Sequence, residues 1–306
     1  EIAEMRAALN HDVERFRANA EDVAAAESLW QRFDELTRDA AVELCEQLRL
    51  ILEPTKATKL KGDYRTGKRI NMKKVIGYVA SQFKKDKIWM RRTKPSAREY
   101  QILLAIDDSA SMSDQNAGNM ALEAMTTIAT ALSRLEVGQL GVARFGEQFE
   151  LVHALNEPFT SPDSGAQCIR RFSFSSPSTN MLSTMSTAVQ TLLAARAEAG
   201  VGVECLQLLF IVSDGRTFPE RAAVRRWVRE AADKRILIVF IVIDSPTDSI
   251  LDVKSVSYQS DGSMQMSAYI DEFPFQDYII LRDTNALAAV LGDALRQWFE
   301  IARQGM

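Results

Sequence analysis

The chain has 306 residues, 46% of them hydrophobic and 25% charged, with 37 Lys/Arg against 41 Asp/Glu. That length allows one or two domains with a full core, and that composition excludes a wholly disordered or fibrous chain. Only two histidines are present, so imidazole chemistry has little to draw on. The three cysteines, Cys45, Cys168 and Cys205, share no metal-ligand spacing and are read as reduced thiols of an intracellular protein.

The most apolar stretches, Ile236–Ile243 and Leu206–Val212 with Gln207 inside it, fall far short of the roughly 20 residues that cross a bilayer, so no membrane partner is expected. No signal peptide is visible and Glu1 is not a start methionine, which predicts a fragment of a longer protein.

Residues 1–53 carry apolar groups at spacings of three and four, among them Val13, Phe16, Leu29, Trp30, Phe33, Leu44 and Leu48. That period predicts two helices, broken near Ala18–Asp22, in an arm or hairpin that Pro54 ends. From Lys56 to Arg98 there are 15 Lys/Arg against only Asp63 and Asp86, so the rest of the chain is strongly acidic. Such a division points to a docking surface for something anionic, ribosomal RNA or an acidic protein segment, or else to a solvated face that offsets the acidic remainder.

Within the basic stretch, residues 62–69 nearly spell a phosphate-binding loop, but Arg69 stands where a magnesium-binding hydroxyl is required and no buried strand precedes Gly62. A turn around Thr66-Gly67 is expected there instead, followed by a helix over Met72–Phe83 and an extended piece at Ile88–Met90.

From Gln101 the pattern alternates. Strands are expected at Gln101–Ile106, Gln139–Phe145, Gln148–Leu155, Leu206–Val212, Ile236–Ile243 and Tyr278–Leu281. Helices are expected at Met120–Leu135, Met181–Ala197, Glu220–Lys234 and Thr284–Arg303. Several strands are apolar throughout, which predicts a mostly parallel α/β sheet covered by helices on both faces. Ser255–Ile270 breaks the alternation, with period-two patterning on either side of Asp261-Gly262, and is predicted to be an inserted β-hairpin. Its Val256, Tyr258, Met264 and Met266 share one side. That side would either cap the core or face a partner, and partner contact is expected of Tyr258, Met264 and Met266, since methionine and tyrosine suit adaptable interfaces.

The chemistry centres on the end of the first of these strands, where the apolar run Ile102–Ile106 stops at Asp107 and hydroxyls follow at Ser109 and Ser111. In a parallel sheet the carboxyl ends of strands share one rim. Ser178-Thr179 and Asp214 therefore reach the same place from two other loops. Oxygen ligands of this kind suit a small hard cation. Ser109 or Ser111 alone is more often a helix cap, and Asp214-Gly215 alone more often a turn. The joint pattern is what points to a metal site.

Asp107-x-Ser109-x-Ser111, then Thr179, then Asp214, resembles the metal-ion-dependent adhesion site of von Willebrand factor A-type domains. Residues 63–76 and 87–95 resemble the extension found in the midasin family, giant AAA-type ATPases of large-ribosomal-subunit assembly, and residues 1–53 resemble its helical lead-in more weakly. The resemblance implies a doubly wound sheet over 101–306, a helical extension over 1–54 and a basic extension over 55–100. It implies that Ser109, Ser111 and Thr179 bind Mg²⁺ directly, with Mn²⁺ or Ca²⁺ as substitutes, while Asp107 and Asp214 act mainly through bound water.

The implied partner is a ubiquitin-like domain of a WD-repeat assembly factor, whose Glu or Asp completes the metal shell. The setting is the pre-60S particle in the nucleolus and nucleoplasm, and the chain is expected to be a monomer. Two departures stand out: Ser178 precedes Thr179 where many adhesion domains have glycine, and Ser213 rather than threonine precedes Asp214. Docking without catalysis is expected, because hydrolysis needs a general base and only Asp108 and Asp114 lie nearby. The competing readings are metal-assisted hydrolysis, RNA binding through the basic stretch, and the adhesion-like subunit of a metal chelatase.

Overall fold

The three- and four-residue apolar spacing at the N-terminus resolves into α1 (Ile2–Arg17) and α2 (Val23–Leu52). Leu9, Val13 and Phe16 are the buried face of α1, and Leu29, Trp30, Phe33, Leu44 and Leu48 that of α2. Asp22 caps α2 by accepting from the backbone N–H of Ala24 at 3.0 Å and Ala25 at 3.2 Å. The structure, a computed structural model, describes residues 2–17, 22–52, 60–92, 100–135, 138–160, 162–200, 205–216, 220–245, 249–258 and 264–304. It divides into two compact units, Ile51–Arg98 and the remainder.

The smaller unit holds β1 (Leu60–Tyr64), β2 (Arg69–Ile70), α3 (Met72–Ala80) and β3 (Trp89–Arg92), with strand order β1-β3-β2 and both pairings antiparallel. The near-phosphate-loop segment is therefore a strand, a turn and a strand, and Lys68 N–H donates to the Met90 carbonyl at 3.0 Å. A Cβ at Gly67 would collide with the Met90 backbone, so the glycine serves close strand approach. Helix α3 starts where Asn71 Oδ1 accepts from Lys73 N–H and stops at Ala80, short of the expected Phe83; Gln82 and Phe83 have φ of 51° and 66°, outside helical space.

The larger unit continues with β4 (Tyr100–Asp107), α4 (Ala117–Leu135), β5 (Gln139–Phe145), β6 (Phe149–His153), α5 (Asp163–Arg171), α6 (Met181–Glu198), β7 (Leu206–Ser213) and α7 (Arg221–Asp233). After these come β8 (Ile236–Ile243), β9 (Lys254–Tyr258), β10 (Met264–Ala268), β11 (Tyr278–Leu281) and α8 (Leu287–Gln304). Six strands form one sheet in the order β11-β8-β7-β4-β5-β6, parallel except for β6.

Strand alternation sends Leu103, Ala105, Leu209, Ile211, Ile238 and Phe240 into a core with Met185, Val189 and Leu192 of α6 and Val224 of α7. Ile102, Leu104, Ile106, Leu208 and Phe210 point the other way and are equally buried, on the face covered by α4. Burial on both faces is why Ile102–Ile106, Leu208–Val212 and Ile236–Ile243 are apolar throughout, with the buried Gln101 and Gln207 bonded to each other. β9 and β10 pair antiparallel, Val256 opposite Met266 and Tyr258 opposite Met264, while the turn between them lies outside the described residues.

Two differences from the sequence expectation stand out. Helix α5 lies in a stretch with no assigned element, because only Ala166, Cys168 and Ile169 supply its apolar face. The last helix begins at Leu287, not Thr284, after a 3-10 turn over Thr284–Ala286 that Asp283 caps through Asn285 N–H.

Helix α4 is buried on nearly all sides because α1 and α2 close over the face that the sheet leaves open. Glu123, 1% exposed, takes two bonds from Arg6 at 3.0 Å and one from Thr284 Oγ1 at 2.5 Å. Thr130 Oγ1 donates to Asp34 at 3.0 Å, and Arg17 to Asn119 at 3.2 Å. Trp30, fully buried, lies directly over Gly165 of α5, where a Cβ would enter the indole ring. Gly165→Ala is expected to lower stability by up to about 2 kcal/mol in chemical denaturation. Helix propensity favours alanine by about 1 kcal/mol, but overpacking against a rigid ring costs about 1–3 kcal/mol.

Candidate metal centre

Three loops meet at the carboxyl edge of the sheet, two of them tied by backbone bonds and the third joined to the first through Ser213 and Asp107. The first follows β4. Parallel register sets Ile106 beside Val212, which puts Asp107 next to Ser213 of the neighbouring strand. Ser213 Oγ donates to Asp107 Oδ2 at 2.6 Å, and Ser109 N–H donates to Oδ1 at 2.9 Å. Each Asp107 oxygen therefore has one bond fixed by the protein and a second lone pair to offer. The hydroxyls of Ser109, buried, and Ser111, exposed, lie 3.0 Å apart, as two ligands on one side of a loop must.

The second loop is bolted to the first through Asp108. Asp108 Oδ1 accepts from the backbone N–H of Ser173 at 2.8 Å and Phe174 at 2.6 Å, while Oδ2 accepts from Arg144 at 3.1 Å. Phe174 has φ of 49°, the left-handed conformation that turns two successive N–H groups toward one carboxylate. Asp108 N–H in turn donates to the Phe145 carbonyl, Ala110 N–H to the Ser176 carbonyl, and Ser176 N–H to the Asp108 carbonyl, at 2.8, 2.8 and 3.1 Å.

Thr179 sits half-buried at the end of this loop. Beyond it Asn180 donates its N–H to the Gly146 carbonyl at 2.8 Å and caps α6 by accepting from Ser183 N–H. Gly146 has no room for a Cβ, which would meet the Ser176 side chain.

The third loop follows β7. Asp214, nearly buried, accepts from Arg216 N–H at 3.2 Å, and Gly215, at φ 69°, turns the chain away. Tyr269 Oη, from the 3-10 turn after β10, donates to the Gly215 carbonyl at 2.9 Å and fixes this loop from outside.

Direct bonds thus join Asp107 to Ser109 and Ser213, and Ser213 leads straight into Asp214. Ser111 meets Ser109 through its hydroxyl, and Thr179 is placed by the tethers on either side of it. Asp108, one of the two further carboxylates expected near the site, is a buried strut with its oxygens committed. The Asp114 side chain lies outside the described residues. Ser213 is legible only as a hydroxyl beside the second aspartate, and Tyr269 carries no sequence signal. Of the hairpin residues expected at an interface, Met266 is exposed, while the side chains of Tyr258 and Met264 lie outside the described residues.

Burial pushes the Asp107 carboxyl up to about 6, with Asp214 adding repulsion, against the lowering effect of the Ser213 and Ser109 hydrogen bonds. The native state without a cation therefore keeps a proton that the unfolded chain has already lost. The contribution of this group to stability is full below about pH 4 and is lost as pH rises through about 6. The amount is on the order of 2–3 kcal/mol, at 1.36 kcal/mol per pH unit. In chelator, urea midpoints are expected to fall across that window, and the Asp107→Asn chain to lose that part of the slope.

The donor set fits a hard cation. Among the described residues no group of three or more His, Cys, Asp or Glu side chains could hold a metal, so any ion here rests on hydroxyls and two carboxylates.

Comparison with known proteins agrees with this architecture. The von Willebrand factor type A domain family matches residues 101–271. Midasin of Dictyostelium discoideum is 49% identical over 298 residues, 96% of this chain and 5% of that protein. Midasin of Giardia intestinalis is 43% identical over 288 residues, 92% of this chain and 6% of that protein. The chain therefore spans only about one-twentieth of the length of these relatives.

Among solved structures, BatB from Bacteroides thetaiotaomicron is similar at 15% identity and a TM-score of 0.45, over 65% of this chain and 98% of that one. Proximal thread matrix protein 1 of the mussel byssus, solved with a zinc-occupied MIDAS motif, is similar at 14% identity and the same TM-score, over 65% and 47%. The chain belongs to the von Willebrand factor type A domain family, and its likeness to the two midasins runs beyond that domain over nearly its whole length.

Proposed function

We propose that the rim formed by the Asp107, Thr179 and Asp214 loops is a cation-dependent docking site for an acidic side chain of another protein. Ser109, Ser111 and Thr179 would hold the ion, Mg²⁺ for preference with Mn²⁺ or Ca²⁺ able to replace it, and Asp107 and Asp214 would act through bound water. The ion supplies a positive charge that two carboxylates behind a hydroxyl shell leave incompletely offset, so an external carboxylate is attracted to it. The observation that carries this reading is the bracing of Asp107. Ser213 Oγ and Ser109 N–H hold its two oxygens in place, while the adjacent Ser109 and Ser111 hydroxyls remain together on the open side.

Docking suits the site better than turnover. Asp108, the nearest further carboxylate among the described residues, is spent on Arg144, Ser173 and Phe174 and has no oxygen left for a proton-transfer role. Likeness to midasins supports the finer reading. The docked group would be a Glu or Asp on the ubiquitin-like domain of a WD-repeat assembly factor, gripped so that an ATPase ring elsewhere in the parent protein can pull that factor from pre-60S particles in the nucleus. The test is titration of this chain with such a ubiquitin-like domain in Mg²⁺ and in EDTA. Binding in Mg²⁺, lost in EDTA and lost on replacing the single docking carboxylate of the partner, is expected. Equal affinity with and without divalent ions would refute the proposal.

A further inference from the structure

Helix α3 presents its apolar side to solvent. Met72, Ile76 and Val79 occur at i, i+4 and i+7 and are 74%, 78% and 58% exposed; Phe83, just past the helix end, is 64% exposed. No residue of α3 is buried, and the helix is held by polar and edge contacts instead. Lys74 pairs with Asp63 of β1, and the Tyr78 and Phe83 rings meet edge-on at 5.1 Å. A surface helix ordinarily turns its apolar stripe to its own core. Here that stripe gains nothing from the unit that carries it. Exposed apolar surface rimmed by charge marks a recognition face.

The rim is basic. Lys73 flanks the stripe on α3, and Lys84, Lys85 and Lys87 follow it, all exposed, while the one carboxylate in that run, Asp86, is paired with Arg65 at 3.1 Å. Positive rim and aliphatic centre together describe the occupant. A phosphate backbone would use the lysines and leave Met72, Ile76 and Val79 in water, and single-stranded bases would find one exposed ring, Phe83, already edge-on to Tyr78, while the aliphatic stripe offers them no stacking face. An amphipathic protein helix with apolar residues at matching spacing and Asp/Glu along its edges satisfies both features at once.

We infer that α3 and the Lys84–Lys87 segment form a second docking face, independent of the cation site, for an acidic amphipathic helix of a partner protein.

The test uses the whole 306-residue chain, with the methyl groups of Met72 and Ile76 observed by NMR. Four probes are titrated separately: a designed helical peptide with leucines on one face and glutamates on the other, a peptide of the same composition with the leucines dispersed, a single-stranded RNA oligomer, and phosphatidylserine vesicles.

The amphipathic peptide is expected to shift both methyls and to bind about tenfold more weakly to the Ile76→Ser/Val79→Ser chain. Its affinity should also drop as salt is raised, since the rim charges are exposed. EDTA should leave its affinity unchanged, so this result stands or falls apart from the cation-dependent docking. All three probe controls should leave the methyls unmoved. Equal binding of the dispersed peptide, methyl shifts with RNA or vesicles, or no binding of the amphipathic peptide would each overturn the inference. The substituted side chains are exposed, so thermal unfolding should be unchanged. The Met72→Ser chain provides a second, independent reading of the same loss.

Discussion

Asp107→Asn is expected to weaken cation binding by about 10–100-fold while leaving the cation-free fold at neutral pH as stable as before, or more so. The affinity loss follows from the role proposed for the carboxylate, a bracing group behind hydroxyls that would ligate the ion directly, where such partners are worth about that factor. The stability effect has the opposite sign. Asp107 is 1% exposed, and burial lifts its carboxyl to about 6. Its ionised form at neutral pH is therefore a liability until a cation arrives.

Asparagine keeps the side-chain shape, and Ser213 Oγ can still bond it as donor or acceptor. Calorimetric titration with Mg²⁺ and chemical denaturation in chelator read the two effects separately. A variant that lost stability and affinity together would mean that Asp107 is a structural brace alone.

Arg6→Ala is expected to cost about 3 kcal/mol. Glu123 lies deep in α4 with Arg6 and Thr284 as its partners, so truncating the arginine leaves a buried charge held by one hydroxyl. Removing one member of a buried pair costs about 3–5 kcal/mol, and this case falls at the low end because a quarter of the Arg6 side chain is exposed. Replacing both residues by apolar ones of similar volume should recover most of the loss. Urea denaturation of the single and paired variants tests this, and a loss below about 1 kcal/mol would show that water replaces the arginine. The same pair fastens α1 to α4, so the single variant should also expose the buried face of α1 to hydrogen exchange.

The sheet is legible in the sequence because its strands are buried on both faces. Ile102–Ile106, Leu208–Val212 and Ile236–Ile243 are apolar along their whole length because both of their faces are covered, while the buried Gln207 is tolerated because it donates to Gln101 Oε1 at 2.6 Å. Asp107 stands out for a related reason, as a carboxylate at the abrupt end of such a run. What escaped was whatever depends on distant partners. Asp108 looks like its neighbour in sequence, yet its role is set by backbone N–H groups 65 and 66 positions away. Helix α5 is short and polar, and its Gly165 makes sense only under the Trp30 ring.

The N-terminal helices were visible from their period, but their seat on α4 was not, since Arg6 and Glu123 lie 117 positions apart. On α3 the period misleads: Met72, Ile76 and Val79 look like a core face and are instead among the most exposed apolar side chains of the described residues.

The most direct measurement is anomalous scattering from crystals of this chain soaked in Mn²⁺. A single strong peak is expected at the carboxyl rim of the sheet, bonded to the hydroxyls of Ser109, Ser111 and Thr179, with Asp107 and Asp214 one water away and one coordination position filled by solvent or by a carboxylate from outside. No peak at that rim, or an ion enclosed by protein oxygens on every side, would contradict a docking site.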